Sequence, residues 1–326
     1  MKYLHTYLSI LLVFILFGTP HCMAQAYDAN VGGVYYKLNQ QTKEATVVSA
    51  GTHYSGAVHI PDNFLWKGTT YKVTSIGEAA FYFRNGITEI TLPSTIRSIG
   101  NRAFSICVSL TSIVIPSSVT SIGAEAFSSC SALTSIEIPQ GITSLEPYVF
   151  NACRSLSKVV LHEGITSIGA SAFRGCSNLP SIILPDGVTT LGDYAFSDCF
   201  TLQEISLPSS MESVGRFAFC NCYQLLHVYN ASPYVPQTAT KVFDGTRLQA
   251  ATLHVPDDDV TIYRLSAPWN EFGAITSLGE TELSILQPSS QHAGNSTAIY
   301  DLTGRRLAMP PARGFYIQNH TKWLVP

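Results

Sequence analysis

Leu110-Thr111-Ser112-Ile113-Val114-Ile115-Pro116-Ser117-Ser118-Val119-Thr120-Ser121-Ile122-Gly123-Ala124-Glu125-Ala126-Phe127, followed by Cys130, decides the fold of this chain. The string returns every 23 residues: Phe81, Phe104, Phe127, Phe150, Phe173, Phe196 and Phe219 are evenly spaced, with no insertion between them. A second column stands five residues before each Phe (Ile76, Ile99, Ile122, Leu145, Ile168, Leu191 and Val214), and a third is Cys107, Cys130, Cys153, Cys176, Cys199 and Cys222. Self-similarity at a fixed period of this size defines a solenoid. A single copy cannot bury its apolar positions, whereas stacked copies set each column above its own equivalent as a continuous ladder.

Within a copy, Ile113 and Ile115 point one way and Val114 the other, which is strand alternation. Pro116 ends the strand because it cannot donate to a ladder. Each coil is therefore expected to supply one short parallel strand. The run Gly123 to Cys130 is short and punctuated, and one helical turn is expected there, setting Ala126 and Phe127 on the core.

These residues resemble the BspA-type leucine-rich repeats of bacterial surface proteins. The pattern I-G-x-x-A-F-x-x-C-x-x-L-x-x-I-x-I-P runs through Ile99 to Pro116 and again through Ile122 to Pro139, and the likeness extends over about residues 27–278. The fold class implied is a leucine-rich-repeat solenoid with short parallel strands, single helical turns per 23-residue coil and β-rich caps. The cysteine precedes the L-x-x-L-x-L core instead of following it, so the usual horseshoe curvature is not assumed.

Around the repeats the chain divides as follows. Residues 1–26 read as a signal peptide, with Lys2, an apolar run from Leu8 to Phe17, and small residues at Ala24 and Ala26. That run is shorter than the ~20 residues a membrane span needs. Residues 27–72 form an N-terminal cap, 73–226 about seven coils, and 227–278 a degenerate repeat and closing cap in which Trp269 and Phe272 cover the last coil. A linker rich in Pro, Ser, Gln and Gly over 279–297 leads to a small β tail, 298–326. The tail resembles the end of the C-terminal sorting modules that route Bacteroidota proteins outward by type IX secretion; without that role it reads as a terminal β-hairpin.

Charged residues are 13% of the chain and the formal net charge is −3, so neither nucleic acid nor an anionic membrane is an evident partner. No nucleophile or acid/base pair stands apart from the repeating background. Glu89, Glu137 and Glu204 fall at two different phases of the repeat, the histidines form no H-E-x-x-H pair, and no Gly-rich phosphate loop precedes a helix. Enzymatic activity, a metal and a cofactor are all unexpected. Cysteines stacked ~4.8 Å apart fall inside the Cα window of a disulfide, but their parallel side chains leave the Cβ atoms too distant. Free thiols packed as small hydrophobes are the expectation.

The outward strand positions form two columns: Glu89, Ser112, Ser135, Lys158, Ser181 and Glu204, then Thr91, Val114, Glu137, Val160, Ile183 and Ser206. Among them Glu89, Ser112, Val114, Glu137, Lys158, Val160, Ile183 and Glu204 are the candidate binding residues, a mixed stripe of β-branched and charged side chains suited to a protein or glycan. The expected function is a secreted or cell-surface binding protein; the resemblance implies adhesion to host extracellular-matrix protein, to glycan or to other bacteria. The alternative is a structural spacer of the cell envelope without a ligand of its own.

Overall fold

The computed structural model describes residues 26–50, 54–256 and 259–278, and the backbone of four tail strands, Ile299–Tyr300, Arg306–Leu307, Gly314–Gln318 and Thr321–Val325. The stretch read as a signal peptide, up to residue 25, and the linker over 279–297 lie outside the described residues. The chain winds into a β-solenoid of about nine coils, in which three hydrogen-bonded columns tie each coil to the next.

The first column, here the front sheet, stacks the strands that precede each proline. Glu89 pairs with Ser112, Ser135 with Lys158, Glu137 with Val160, Ser181 with Glu204 and Ile183 with Ser206, all in parallel register. The period of 23 thus becomes a lateral step of one coil. The sheet is interrupted twice, between Ser112–Ile113 and Ser135–Glu137 and between Lys158–Val160 and Ser181–Ile183, and the second break has a reason visible in the sequence. Thr111, Thr134 and Ser157 each donate their backbone N–H to the preceding coil, to Thr88 O, Thr111 O and Thr134 O. Pro180 occupies the same place and has no N–H to give.

The second column, the rear sheet, is built from two-residue strands such as Ser98–Ile99, Ser121–Ile122, Ser167–Ile168 and Thr190–Leu191. A glycine follows most of them because neighbouring coils approach closely: a Cβ on Gly192 would stand 2.5 Å from the backbone N of Ala170. One coil carries Glu146 in that place, and there the sheet is broken between Ser121–Ile122 and Ser144–Leu145.

The third column corrects an expectation. No helical turn forms over Gly123 to Cys130; the segment is a chain of tight turns. Glu125, Phe127 and Ser129 donate to Pro147, Val149 and Asn151 of the next coil at 3.0, 3.0 and 2.7 Å, while Ala126, Ser128 and Cys130 donate back to Gly123, Glu125 and Phe127. A helix would satisfy its amides internally and leave none for the neighbouring coil. Here alternate peptides face opposite ways, because residues two before and two after each Phe take positive φ, as Glu125 (58°) and Ser129 (61°) do. Non-glycine residues fill most of these places, each at a cost of roughly 1–2 kcal/mol, offset by the hydrogen bonds between coils. Among the described residues the one α-helix is Val260–Leu265, beyond the repeats.

Inside, the Phe side chains form a continuous column from Phe81 to Phe243, with successive ring centroids 5.3–5.7 Å apart and planes within 15° of parallel. Both ends are closed edge-on: Tyr54 meets Phe81 at 5.2 Å, and Trp269 and Phe272 meet Phe243 at 5.6 and 5.3 Å. Edge-to-face contact is the favoured way to end a stack. Ahead of the repeats, Ala29–Val31, Val34–Asn39 and Glu44–Val47 form an antiparallel meander whose last strand runs parallel to Thr69–Ile76, converting hairpin pairing into solenoid pairing. The tail strands form a four-stranded antiparallel sheet in the order Arg306–Leu307, Ile299–Tyr300, Gly314–Gln318, Thr321–Val325.

Candidate functional site on the front sheet

Alternation along each front strand sends one set of residues into the core and the other outward. Ile90, Ile113, Ile136, Ile182 and Ile205 are buried, which holds their neighbours outward in two straight columns. Glu89, Ser112, Glu137 and Lys158 are exposed, Val114 is 81% exposed and Val160 is 39% exposed. Ile183 and Glu204 are only half-buried positions at the margin, and Ser206 is buried. The open part of the face therefore extends from Glu89 through Val160 to Ser181. Glu137 and Lys158 lie on adjacent strands, two residues apart along the register, and form no ion pair among the described residues.

Toward the C-terminus the columns continue through residues that the even spacing of the phenylalanines does not reveal. His227 stands beside Glu204, Tyr229 beside Ser206 and His254 beside Tyr229. His227 Nδ1 lies 3.0 Å from His254 Nε2, the His254 ring stacks on Tyr229 at 4.6 Å, and Thr276 Oγ1 is 3.2 Å from His254 Nδ1. Tyr229 and His254 are buried, so this cluster ends the open face. The signal was hidden because the last coils lengthen: Ser213 pairs with Gln237 and His227 with Thr252. Only the strand register shows which residues share a column.

No group of three His, Cys, Asp or Glu side chains among the described residues is placed to hold a metal ion. The cysteine column lies in the core, behind the turns. Each thiol donates to the Phe carbonyl of the preceding coil, Cys130 Sγ to Phe104 O at 3.2 Å and Cys153 Sγ to Phe127 O at 3.1 Å, and the pattern holds from Cys107 to Cys222. The same carbonyl accepts the backbone N–H three residues on in its own coil, from Arg84 at Phe81 and from a cysteine at the others, so both lone pairs are used. Burial raises these thiols far from reactivity, Cys107 and Cys153 to about 12. Thr246 replaces cysteine in the last coil and donates its hydroxyl to Phe219 O at 2.6 Å.

Parallel strands stacked at a 23-residue step over an isoleucine, phenylalanine and cysteine core define a leucine-rich-repeat β-solenoid. The chain belongs to the BspA type leucine rich repeat family, whose profile matches residues 69–162 and 143–264 in six copies. Among solved structures it is similar to a leucine-rich repeat protein from Bacteroides ovatus, with 24% identity over 77% of each chain and a TM-score of 0.53. It is also similar to the leucine rich repeat protein of T. pallidum, with 30% identity over 60% of this chain and 91% of that one, and a TM-score of 0.53. No curated protein matches the chain.

Proposed function

We propose that the protein is exported to the cell surface and recognises a protein or glycan partner through the open front sheet, in the manner of an adhesin. The observation carrying this reading is the outward strip itself: Val114, 81% exposed immediately after the strand Ser112–Ile113, lies among exposed Glu89, Ser112, Glu137 and Lys158. Val114 and Val160, both exposed in one column two coils apart, supply apolar contact to a partner that the polar residues around them do not. Binding solenoids use such long regular faces. The apolar run at the N-terminus and the β tail fit export, and membership of a family resembling surface proteins points the same way.

Two experiments test the reading. Surface proteolysis of intact cells, with the intact mass of the mature chain, is expected to find the protein outside the cell; a periplasmic protein with its tail intact would argue for an envelope spacer. Glu137→Ala combined with Lys158→Ala is expected to weaken capture of the chain by extracellular-matrix proteins or bacterial cells by about tenfold, as loss of interface contacts does, with an unchanged melting temperature. Unaltered capture would remove the front sheet from the function.

A further inference from the structure

Each coil leaves the front sheet through a short connection that leads to the rear sheet, and one of these connections departs from the rest. In three earlier coils a hydroxyl at its middle donates to the preceding coil: Thr95 Oγ1 to Val73 O at 2.6 Å, Ser118 Oγ to Ile96 O at 2.6 Å and Ser210 Oγ to Val188 O at 2.7 Å. A buried apolar residue follows each at once, Ile96, Val119 and Met211. Ser232 makes the equivalent bond, Oγ to Met211 O at 3.2 Å, but the chain then runs outward through exposed Pro233 and Tyr234. This connection is one residue longer, 231–236 against 208–212, between the paired positions Leu207 with Asn230 and Ser213 with Gln237.

The longer loop is pinned from beneath by buried Asn230, Ser232 and Tyr263. Asn230 Oδ1 accepts the Ser232 N–H at 3.1 Å, and Asn230 Nδ2 donates to Tyr263 Oη at 2.9 Å. The Tyr234 N–H donates to Ser232 Oγ at 3.4 Å, and Tyr263 Oη donates to Tyr234 O at 3.1 Å. Both backbone polar atoms of Tyr234 are therefore held, while its ring is 80% exposed and carries no cation from the described residues. Beside the ring lies a cleft of about 370 Å³ on the rear sheet, floored by Met211 and Pro236 and edged by Glu212, Ser213 and Gln237. Glu212 is the one charged residue in its lining, and this exposed carboxylate enters no ion pair among the described residues.

We propose that this cleft binds a guanidinium group. An open tyrosine face and an unpaired carboxylate both attract a cation, and both repel an anion. Between the two common organic cations the shapes decide: a guanidinium is planar, stacks on a ring and offers a carboxylate two parallel N–H donors, whereas an ammonium is a compact point charge. The Ser213 hydroxyl and the Gln237 amide oxygen are acceptors for its remaining N–H groups. The volume exceeds one guanidinium and leaves room for an aliphatic stem over Met211 and Pro236. Because the loop is held before any ligand arrives, binding does not have to order it. The same groups would take the guanidinium of an arginine in a partner protein or of a free small molecule. The site lies on the rear sheet and does not depend on the front-sheet reading.

The test is a saturation-transfer NMR titration of the full chain with n-butylguanidinium and with the blocked tripeptide acetyl-Gly-Arg-Gly-amide. Saturable binding of at least one probe below about 10 mM is expected, the range that one stacked cation and one exposed ion pair support. Tyr234→Ala and Glu212→Gln should each weaken it by about fivefold, and both should melt like the parent because both side chains are exposed. The tripeptide with lysine in place of arginine should bind more weakly, and the one with uncharged citrulline should not bind. Glu137→Ala with Lys158→Ala on the front sheet should leave binding intact. Tighter binding of the arginine tripeptide assigns the site to a protein partner, and tighter binding of n-butylguanidinium assigns it to a small molecule. The proposal is overturned if neither probe binds, if the Tyr234 and Glu212 variants bind like the parent, or if the lysine or citrulline peptide binds as well as the arginine one.

Discussion

At the scale of single residues, the repeat fixes chemistry through position more than through identity. Each core thiol is a donor to a Phe carbonyl and is pushed up by burial, so it stays protonated in the fold. The sign of the consequence is set by the direction of that shift: a group whose folded pKa exceeds its ordinary value stabilises the fold below that ordinary value and loses the contribution as pH rises toward the folded one. For Cys153 the window opens at 9.0 and extends to about 12. The melting temperature should therefore fall steeply above about pH 9, and Cys153→Ala should be less stable at neutral pH but flatter in its alkaline decline. A melting temperature level through pH 10.5 would mean that the thiols are solvated. Under a disulfide-exchange reagent at neutral pH, only half-buried Cys220 should react before unfolding, because the other six of the seven described cysteines are buried.

Two glycines separate backbone strain from crowding. Gly175 has φ of 72°, and an added Cβ would meet nothing nearer than Ala152 Cα at 3.6 Å. Gly175→Ala should cost about 1 kcal/mol from conformation alone, since Ala152 already holds the equivalent place in the coil before. Gly192→Ala meets the backbone of Ala170 at 2.5 Å and should cost roughly 1–3 kcal/mol by displacing a coil. Chemical denaturation of the pair checks the order; an equal or reversed cost would show that crowding is not why glycine recurs there.

At the scale of the element, a coil is stable only through its neighbours. Phe150 is fully buried between Phe127 and Phe173, at 5.6 Å from each. Phe150→Ala should cost about 3–5 kcal/mol, because the rings above and below are held by their own ladders and cannot close the gap. A melting shift near zero would show that the column is not the core. The turns carry the same lesson. Their residue pattern was legible in the sequence, with Ala126 and Phe127 inward, but the choice between a helical turn and alternating turns was not. That choice depends on hydrogen bonds to carbonyls 22 residues away, such as Glu125 N to Pro147 O, and no local propensity encodes them.

At the scale of the whole molecule, a stack this regular is limited by its ends. Trp269 is fully buried against Phe243 and Tyr263, and Tyr263 receives Asn230 Nδ2 at 2.9 Å. Ending the chain at Val255 would uncover Phe243 and a strand edge, and the shortened protein should self-associate, as unpaired edges do. Light scattering would report this, and a monodisperse monomer would show that the closing segment is dispensable. The sequence by itself determined the period, the core columns, the strand alternation and the outward residues Glu89 to Glu204, because a strict repeat turns spacing into spatial address. Tertiary structure alone decided which part of that face is open, since Ser206, Tyr229 and His254 close it through a register the phenylalanine spacing does not carry. It also decided that Arg174, Asp198 and Asn221, on three successive coils, meet in one hydrogen-bonded network. Contacts between coils are made by the stacking of the chain on itself, and stacking exists only once the whole solenoid is wound.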